Sequence, residues 1–285
     1  MSTTSPKSPP SQQGPGTTTR ASTGDGDVEH AGAKGAAVSL RHVTVSFDDP
    51  ATGAPNRVLD DLTLSSPPGE FLVLVGRSGC GKTTVLNVLS GLIDDVEGEV
   101  TVNGRTAREA RSSLGYMFAR DALIPSRTAL GNVEVGLEIR GVARAERREV
   151  ARRLLDTLGL GDAHRRYPWQ LSQGMRQRVA LARTWALNPE LVLMDEPFAA
   201  LDAQTRESVR AQFVELWEHR RSNVVFVTHD LSEALLLGDR VVLLGQRGAI
   251  IEDLRLDFPR PRDPATLPYT DEFVELERRL HGLMH

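Results

Sequence analysis

The chain has 285 residues, of which 40% are hydrophobic and 25% charged, with a formal net charge of -4. This is enough for one sizeable core or two small ones, and the mildly acidic balance carries no footprint of a nucleic-acid binder. The single cysteine, Cys80, excludes an internal disulfide. No apolar run reaches the length of about 18 residues that reads as a membrane-crossing helix.

The start lacks an apolar core of signal-peptide type, so the chain is expected to stay in the cytosol. Residues 1–36 are rich in Ser, Thr, Gly and Pro with almost no large apolar side chains, a composition that predicts a disordered tail. Order is expected to begin near Val38. The stretch Val38 to Phe47 alternates like a half-exposed strand, Asp48 to Asn56 is turn-like, and Val58 to Ser65 and Glu70 to Val75 read as strands around a Pro67-Pro68-Gly69 turn.

Phe71-Leu-Val-Leu-Val75 is continuously apolar, as a buried parallel strand should be. It runs into Gly76-Arg-Ser-Gly-Cys-Gly-Lys-Thr-Thr84, which matches the phosphate-loop pattern G-x-x-x-x-G-K-[ST] with Gly76, Gly81, Lys82 and Thr83 in the defining places. Glycines at Gly76, Gly79 and Gly81 let the backbone curl so that successive N–H groups point inward as an anion nest. Ser78, Cys80 and Thr84 complete the loop and are taken as nucleotide-binding with the rest. Lys82 supplies a cation for the terminal phosphates, and the Thr83 hydroxyl can ligate Mg²⁺. A helix starting at Gly81 aims its positive end at the same phosphates. Cys80 occupies a variable place of the pattern, where a small side chain fits.

Gly98 to Gly104 reads as another strand closing in an Asn-Gly turn. From Thr106 to about Trp169 the pattern is mostly helical. Within it, Ala145 to Leu158 places Val150, Leu154, Leu155 and Leu158 on one face and most of its arginines elsewhere. Leu191 to Met194 and Val224 to Val227 are short apolar strands, each preceded by a helical segment, which is the logic of a parallel sheet. Val241 to Leu244 and Ala249 to Glu252 suggest a closing hairpin, and Asp271 to Leu283 a terminal helix. No internal repeat is present.

Further motifs fall in a fixed order along the chain. Leu193-Met-Asp195-Glu196-Pro197 ends a buried strand with two adjacent carboxylates. Leu171-Ser-Gln-Gly-Met175 opens a helix, and Leu201-Asp202 and Thr228-His229-Asp230 follow. Together with the loop, these motifs resemble the ATP-binding subunit of an ABC (ATP-binding cassette) transporter from about Val38 to the C-terminus.

The resemblance implies an α/β fold: a P-loop NTPase core with a mostly parallel sheet, an N-terminal antiparallel β subdomain and an inserted α-helical subdomain. It places the nucleotide-binding domain at 37–260, the helical subdomain at about 106–180, and a short helical extension at 261–285. It implies ATPase activity with ATP and Mg²⁺. Asp195 and Thr83 would serve the metal, Glu196 would be the general base, and His229 would sense the γ-phosphate. Ser172 and Gly174 of the signature, usually spelled LSGGQ, would contact ATP held by the opposite subunit from a helix N-terminus. Asp202 would lie in the D-loop that crosses the dimer interface, where Ala199 replaces the usual serine. Phe47 would stack on adenine.

One part departs from the family pattern. Ala119 stands where a glutamine normally ligates Mg²⁺ and relays ATP state, and the expectation is that water or Asp121 fills that place. The resemblance also implies partners: a second copy of the chain in a head-to-tail homodimer, or a paralogous cassette; an integral membrane permease; and indirectly an extracytoplasmic substrate-binding protein. No nucleic acid is expected. The location implied is the cytoplasmic face of the membrane. Asp121-Ala-Leu-Ile-Pro125 and Phe258 to Asp263 are similar to importers of the nitrate, sulfonate and taurine group, though Ser126 departs from their usual tryptophan. The alternative is a non-transport ABC ATPase. The single cassette, the lack of sustained heptads and the acidic balance favour transport over it.

Overall fold

The inner strands of the main sheet are almost continuously apolar because both of their faces are covered. The computed structural model describes residues 1, 37–48 and 53–284; the expected tail at 2–36 lies outside the described residues. All the elements below belong to the unit Ala33–His285.

Strands β1 (Val38–Asp48), β2 (Pro55–Ser66), β4 (Glu97–Val102) and β5 (Arg105–Thr106) form an antiparallel sheet in the order β2-β1-β4-β5. Asp48 pairs with Pro55 and Phe47 with Asn56, so the strands extend into both ends of the segment expected to be a turn. The second sheet runs β10-β9-β3-β8-β7-β6, from β3 (Phe71–Gly76), β6 (Leu114–Met117), β7 (Leu191–Asp195), β8 (Asn223–Thr228), β9 (Arg240–Leu244) and β10 (Ile250–Arg255). It is parallel except at β10, which closes on β9 as a hairpin.

Side chains alternate across this sheet. Phe71, Val73, Val192, Met194, Val224 and Phe226 face one core. Leu72, Leu74, Leu191, Leu193, Val225 and Val227 face the other. The second core is sealed by α1 (Lys82–Leu89) and the antiparallel sheet. The first is sealed by helices α3 (Ala129–Ile139), α4 (Arg144–Thr157), α5 (Gln173–Ala186), α6 (Ala203–Arg220), α7 (Leu231–Leu237) and α8 (Asp271–Met284). At its centre Phe71 meets Phe213 and Trp217 edge-on, with ring centroids 5.8 and 5.1 Å apart.

The segment expected to be mostly helical is broken by a strand. After the single-turn α2 (Ala107–Ala110), β6 joins the sheet as the parallel neighbour of β7. A four-residue strand at a sheet edge leaves too short an apolar run to stand out from helical spacing. The longer helices of this segment, α3 to α5, therefore begin beyond Met117. The chain enters them through Asn132, whose buried side chain makes four bonds to the connecting backbone. Its Nδ2 donates to the carbonyls of Ile124, Arg127 and Thr128, and its Oδ1 accepts from Ile124 N at 2.7 Å.

Candidate functional site

The parallel strands deliver their C-terminal ends to one edge, and the chemistry-bearing loops leave from there. β3 ends at Gly76, β7 at Asp195 and β8 at Thr228. Gly81 caps α1 with φ +106°, a conformation L side chains avoid, and a Cβ there would stand 2.6 Å from Leu59 Cδ2. The curl of the loop thus needs glycine twice over.

Lys82 is buried, and its ammonium lies back within the loop, donating to Gly76 O at 2.7 Å and Arg77 O at 3.0 Å. Arg77, Ser78 and Gly79 are exposed at the loop tip, and Cys80 is buried beneath them. With Asn56, Arg57 and Arg247 they line a cleft of about 510 Å³. Phe47 is exposed beside it on β1, but the cleft wall is formed by its ladder partner Asn56.

One hydrogen bond ties the loop to the acidic strand end. Thr83 Oγ1 donates to Asp195 Oδ1 at 3.1 Å. Burial, and then the neighbouring Glu196 charge, push the Asp195 carboxyl above its usual range, against the Thr83 hydrogen bond and the Lys82 charge. A half-buried carboxylate beside a hydroxyl suits a hard divalent cation that keeps most of its ligands as water and phosphate oxygens. Among the described residues there is no cluster of three or more His, Cys, Asp or Glu that could hold a metal ion by itself.

Glu196 adopts a left-handed backbone at φ +45°. The strained turn breaks the strand, so the two adjacent carboxylates diverge. Glu196 N donates to Val227 O at 2.9 Å, and Glu196 Oε2 lies 3.1 Å from His229 Nδ1. The base and histidine expected from separate motifs are therefore one pair, held across β7 and β8.

A second group stands apart. Ser172 caps α5, its hydroxyl accepting from Met175 N at 3.2 Å. Asp202 caps α6 by accepting from Thr205 N at 3.0 Å, and its hydrogen bonds with Thr205 hold its carboxyl below the usual range. Gly174 is buried directly against Thr205, where any side chain would collide with the threonine methyl. The two helix starts, α5 and α6, are thereby pressed together. Among the described residues no hydrogen bond or ion pair joins the Ser172 segment to Lys82 or Thr83.

Asp121 does not stand in for the missing glutamine. Its Oδ1 accepts from Leu123 N at 3.2 Å and its Oδ2 accepts from Arg176 Nε at 2.9 Å. That ion pair fastens the connecting segment to α5, and Ala119 is exposed. Three contributors were not anticipated. Gln177, buried in α5, donates to Pro197 O and links the signature helix to the turn after Glu196. Tyr116, donating to Asn87 Oδ1 at 3.1 Å, has its hydroxyl pushed well up by burial and by the Asp195 charge. Glu233 accepts from Thr228 Oγ1 at 2.7 Å. A buried polar residue at mid-helix was the available signal for Gln177; the other two became visible only through packing.

The family model described as ABC transporter matches residues 59–199. An ABC transporter ATP-binding protein of Methanocaldococcus jannaschii is 44% identical over 232 residues, spanning 80% of this chain and 85% of that protein. The taurine import ATP-binding protein TauB of Rhizobium johnstonii is 37% identical over 238 residues, spanning 82% and 91%. The nitrate import ATP-binding protein NrtC of Synechococcus elongatus is 39% identical over 247 residues, spanning 85% of this chain and 37% of that one. Among solved structures, a dimeric post-hydrolysis ATP-binding cassette bound to ADP and Pi aligns with a TM-score of 0.68 at 33% identity, over 78% of this chain and all of that one. With the Methanocaldococcus and Rhizobium relatives this similar over most of their length, and with a phosphate loop, an acid pair and a histidine gathered at one sheet edge, the chain belongs to the ABC transporter family of ATP-binding proteins and is an ATPase cassette.

Proposed function

We propose that this cassette energises solute import, working as two copies arranged head to tail beneath a separate membrane permease that is served by an extracytoplasmic binding protein. The observation that carries the reading is the division of the site. Lys82, Thr83, Asp195, Glu196 and His229 gather at one sheet edge, while Ser172 and Asp202 cap the adjoining helices α5 and α6 with no hydrogen bond or ion pair from either, among the described residues, to Lys82 or Thr83. Half a phosphate grip in each place calls for a second copy, with Ser172 of one chain completing the site of the other. The taurine and nitrate import relatives support the importer class, and the dimeric cassettes among the solved structures support the pairing.

In this reading ATP lies on the loop from Gly76 to Thr84. Its phosphates draw Lys82 off the Gly76 and Arg77 carbonyls, and Phe47 and Asn56 border the base. Thr83 and Asp195 would hold Mg²⁺, which would neutralise phosphate charge. Glu196 accepts the proton of the attacking water as the bond between that water and the γ-phosphorus forms and the bond to the β-phosphate bridge breaks. His229 keeps Glu196 aligned and donates toward the γ-phosphate. Loss of that phosphate removes the bridge between copies, so the pair opens and rocks the permease. The location that follows is the cytoplasmic side of the membrane.

Glu196→Gln preserves shape and removes the base. With MgATP it should form a long-lived dimer with little turnover, read by light scattering and phosphate release. A variant that stays monomeric at saturating MgATP refutes the scheme. Co-purification of the wild type with ribosomes or DNA, and not with a multi-span membrane protein, refutes the importer assignment.

A further inference from the structure

Beside the Glu196–His229 pair lies a recess of about 40 Å³, walled by Glu196, Ala199, Arg206, Thr228, His229 and Glu233. A polar space of that size holds a water molecule. Two of these residues have no part in the chemistry described above, yet each grips a segment that does.

Arg206, in the first turn of α6, donates from Nη2 to Leu201 O at 2.9 Å and so holds the turn that carries Asp202. Glu233, in the first turn of α7, is only 5% exposed. Its Oε2 accepts from Thr228 Oγ1 at 2.7 Å, and its backbone N–H donates to Asp230 Oδ1 at 3.0 Å. Thr228 Oγ1 in turn accepts from Asp230 N at 3.1 Å. Both neighbours of His229 are therefore fastened to one glutamate.

Arg206 Nε and Glu233 Oε1 are buried without a hydrogen-bond partner. An unpaired buried donor and an unpaired buried acceptor are each costly. Here they carry opposite charges on the wall of one recess, which Asp230 also lines.

We propose that Arg206 and Glu233 are positioning residues that connect the Leu201-Asp202 turn to the Thr228–Asp230 loop, so that displacement of this turn by a second copy of the chain is passed to His229 and Glu196. The inference rests on the head-to-tail pair and on the roles of Glu196 and His229 given above. It adds a route by which engagement of one copy sets the geometry of hydrolysis within the other.

The test is a double-mutant cycle on turnover, with Glu233→Gln and Arg206→Lys. Glutamine keeps an acceptor for Thr228 while removing the charge, and lysine keeps the charge while losing the fork. Each single variant should lower kcat by about tenfold, with KM and the affinity for a fluorescent ATP analogue within about twofold of wild type. The double variant should fall no further than the worse single one. Unchanged kcat in both singles, or losses that multiply in the double, overturns the inference. Should Glu233→Gln fail to fold, Thr228→Val cuts the same connection at its other end and is read by the same kcat-against-KM comparison. Glu196→Gln run alongside separates the two levels. If it retains full turnover, the site assignment falls and takes this inference with it. If it is inactive while the cycle multiplies, only this inference falls.

Discussion

Ser172→Ala separates a structural role from a reactive one by magnitude. As the cap of α5, Ser172 makes one 3.2 Å bond to Met175 N from an exposed position. Losing such a cap costs about 1 kcal/mol. A domain stable by ~5–15 kcal/mol remains almost wholly folded after that loss, with a fall in Tm of about 2–4 °C. Capping alone therefore leaves turnover per folded molecule nearly unchanged. If the hydroxyl also holds the γ-phosphate of the opposing copy, its loss removes a donor aimed at transition-state charge, worth on the order of 10²-fold in kcat. Thermal melting and steady-state phosphate release on one preparation measure both. The two-chain site adds a stricter check. Mixing Ser172→Ala with Lys82→Ala, each inactive alone, yields about half mixed dimers, each with one site of intact Lys82 and intact Ser172. Activity should return to about a quarter of wild type. A loss of kcat below about threefold in Ser172→Ala, or a mixture no more active than its components, refutes the reasoning.

Asp195→Asn should melt higher than wild type without nucleotide near neutral pH while losing turnover. The folded carboxyl is raised above its unfolded value, so the folded state holds a proton that the unfolded chain releases, and stability falls as pH rises through that window. The difference in Tm should close as pH drops below the ordinary carboxylate range, and an Asn variant less stable than wild type at pH 7 would refute it. Asn132→Ala removes four bonds at the entry to helices α3 to α5 and should cost about 2–4 kcal/mol in urea unfolding, most of it from stranded backbone groups; a cost below 1 kcal/mol shows that water replaces the side chain. Ala119→Gln should lower the Mg²⁺ concentration needed for half-maximal hydrolysis. An unchanged Mg²⁺ requirement shows that the alanine is no handicap at that position.

The phosphate loop was legible because its chemistry is local: glycines, a lysine and a threonine act within nine consecutive residues, Gly76 to Thr84, and the preceding strand announces itself by being apolar throughout. The same holds for β7, β8 and β9, whose buried runs are nearly continuous. β6 was hidden because a short edge strand resembles one turn of an apolar helix. Asp121 looked free to serve a metal because proximity along the chain says nothing of Arg176, which folding brings to 2.9 Å from it.

Residue order alone determined the sheet class, the phosphate loop and the identity of the acid pair, since each depends on neighbours within a few positions. Only the tertiary structure decided that Glu196 meets His229, that Thr83 meets Asp195, and that Gly174 has no room for a side chain beside Thr205. Those meetings are made by strand order and helix packing, which join segments far apart in the chain through burial rather than through any pattern that a short stretch can display.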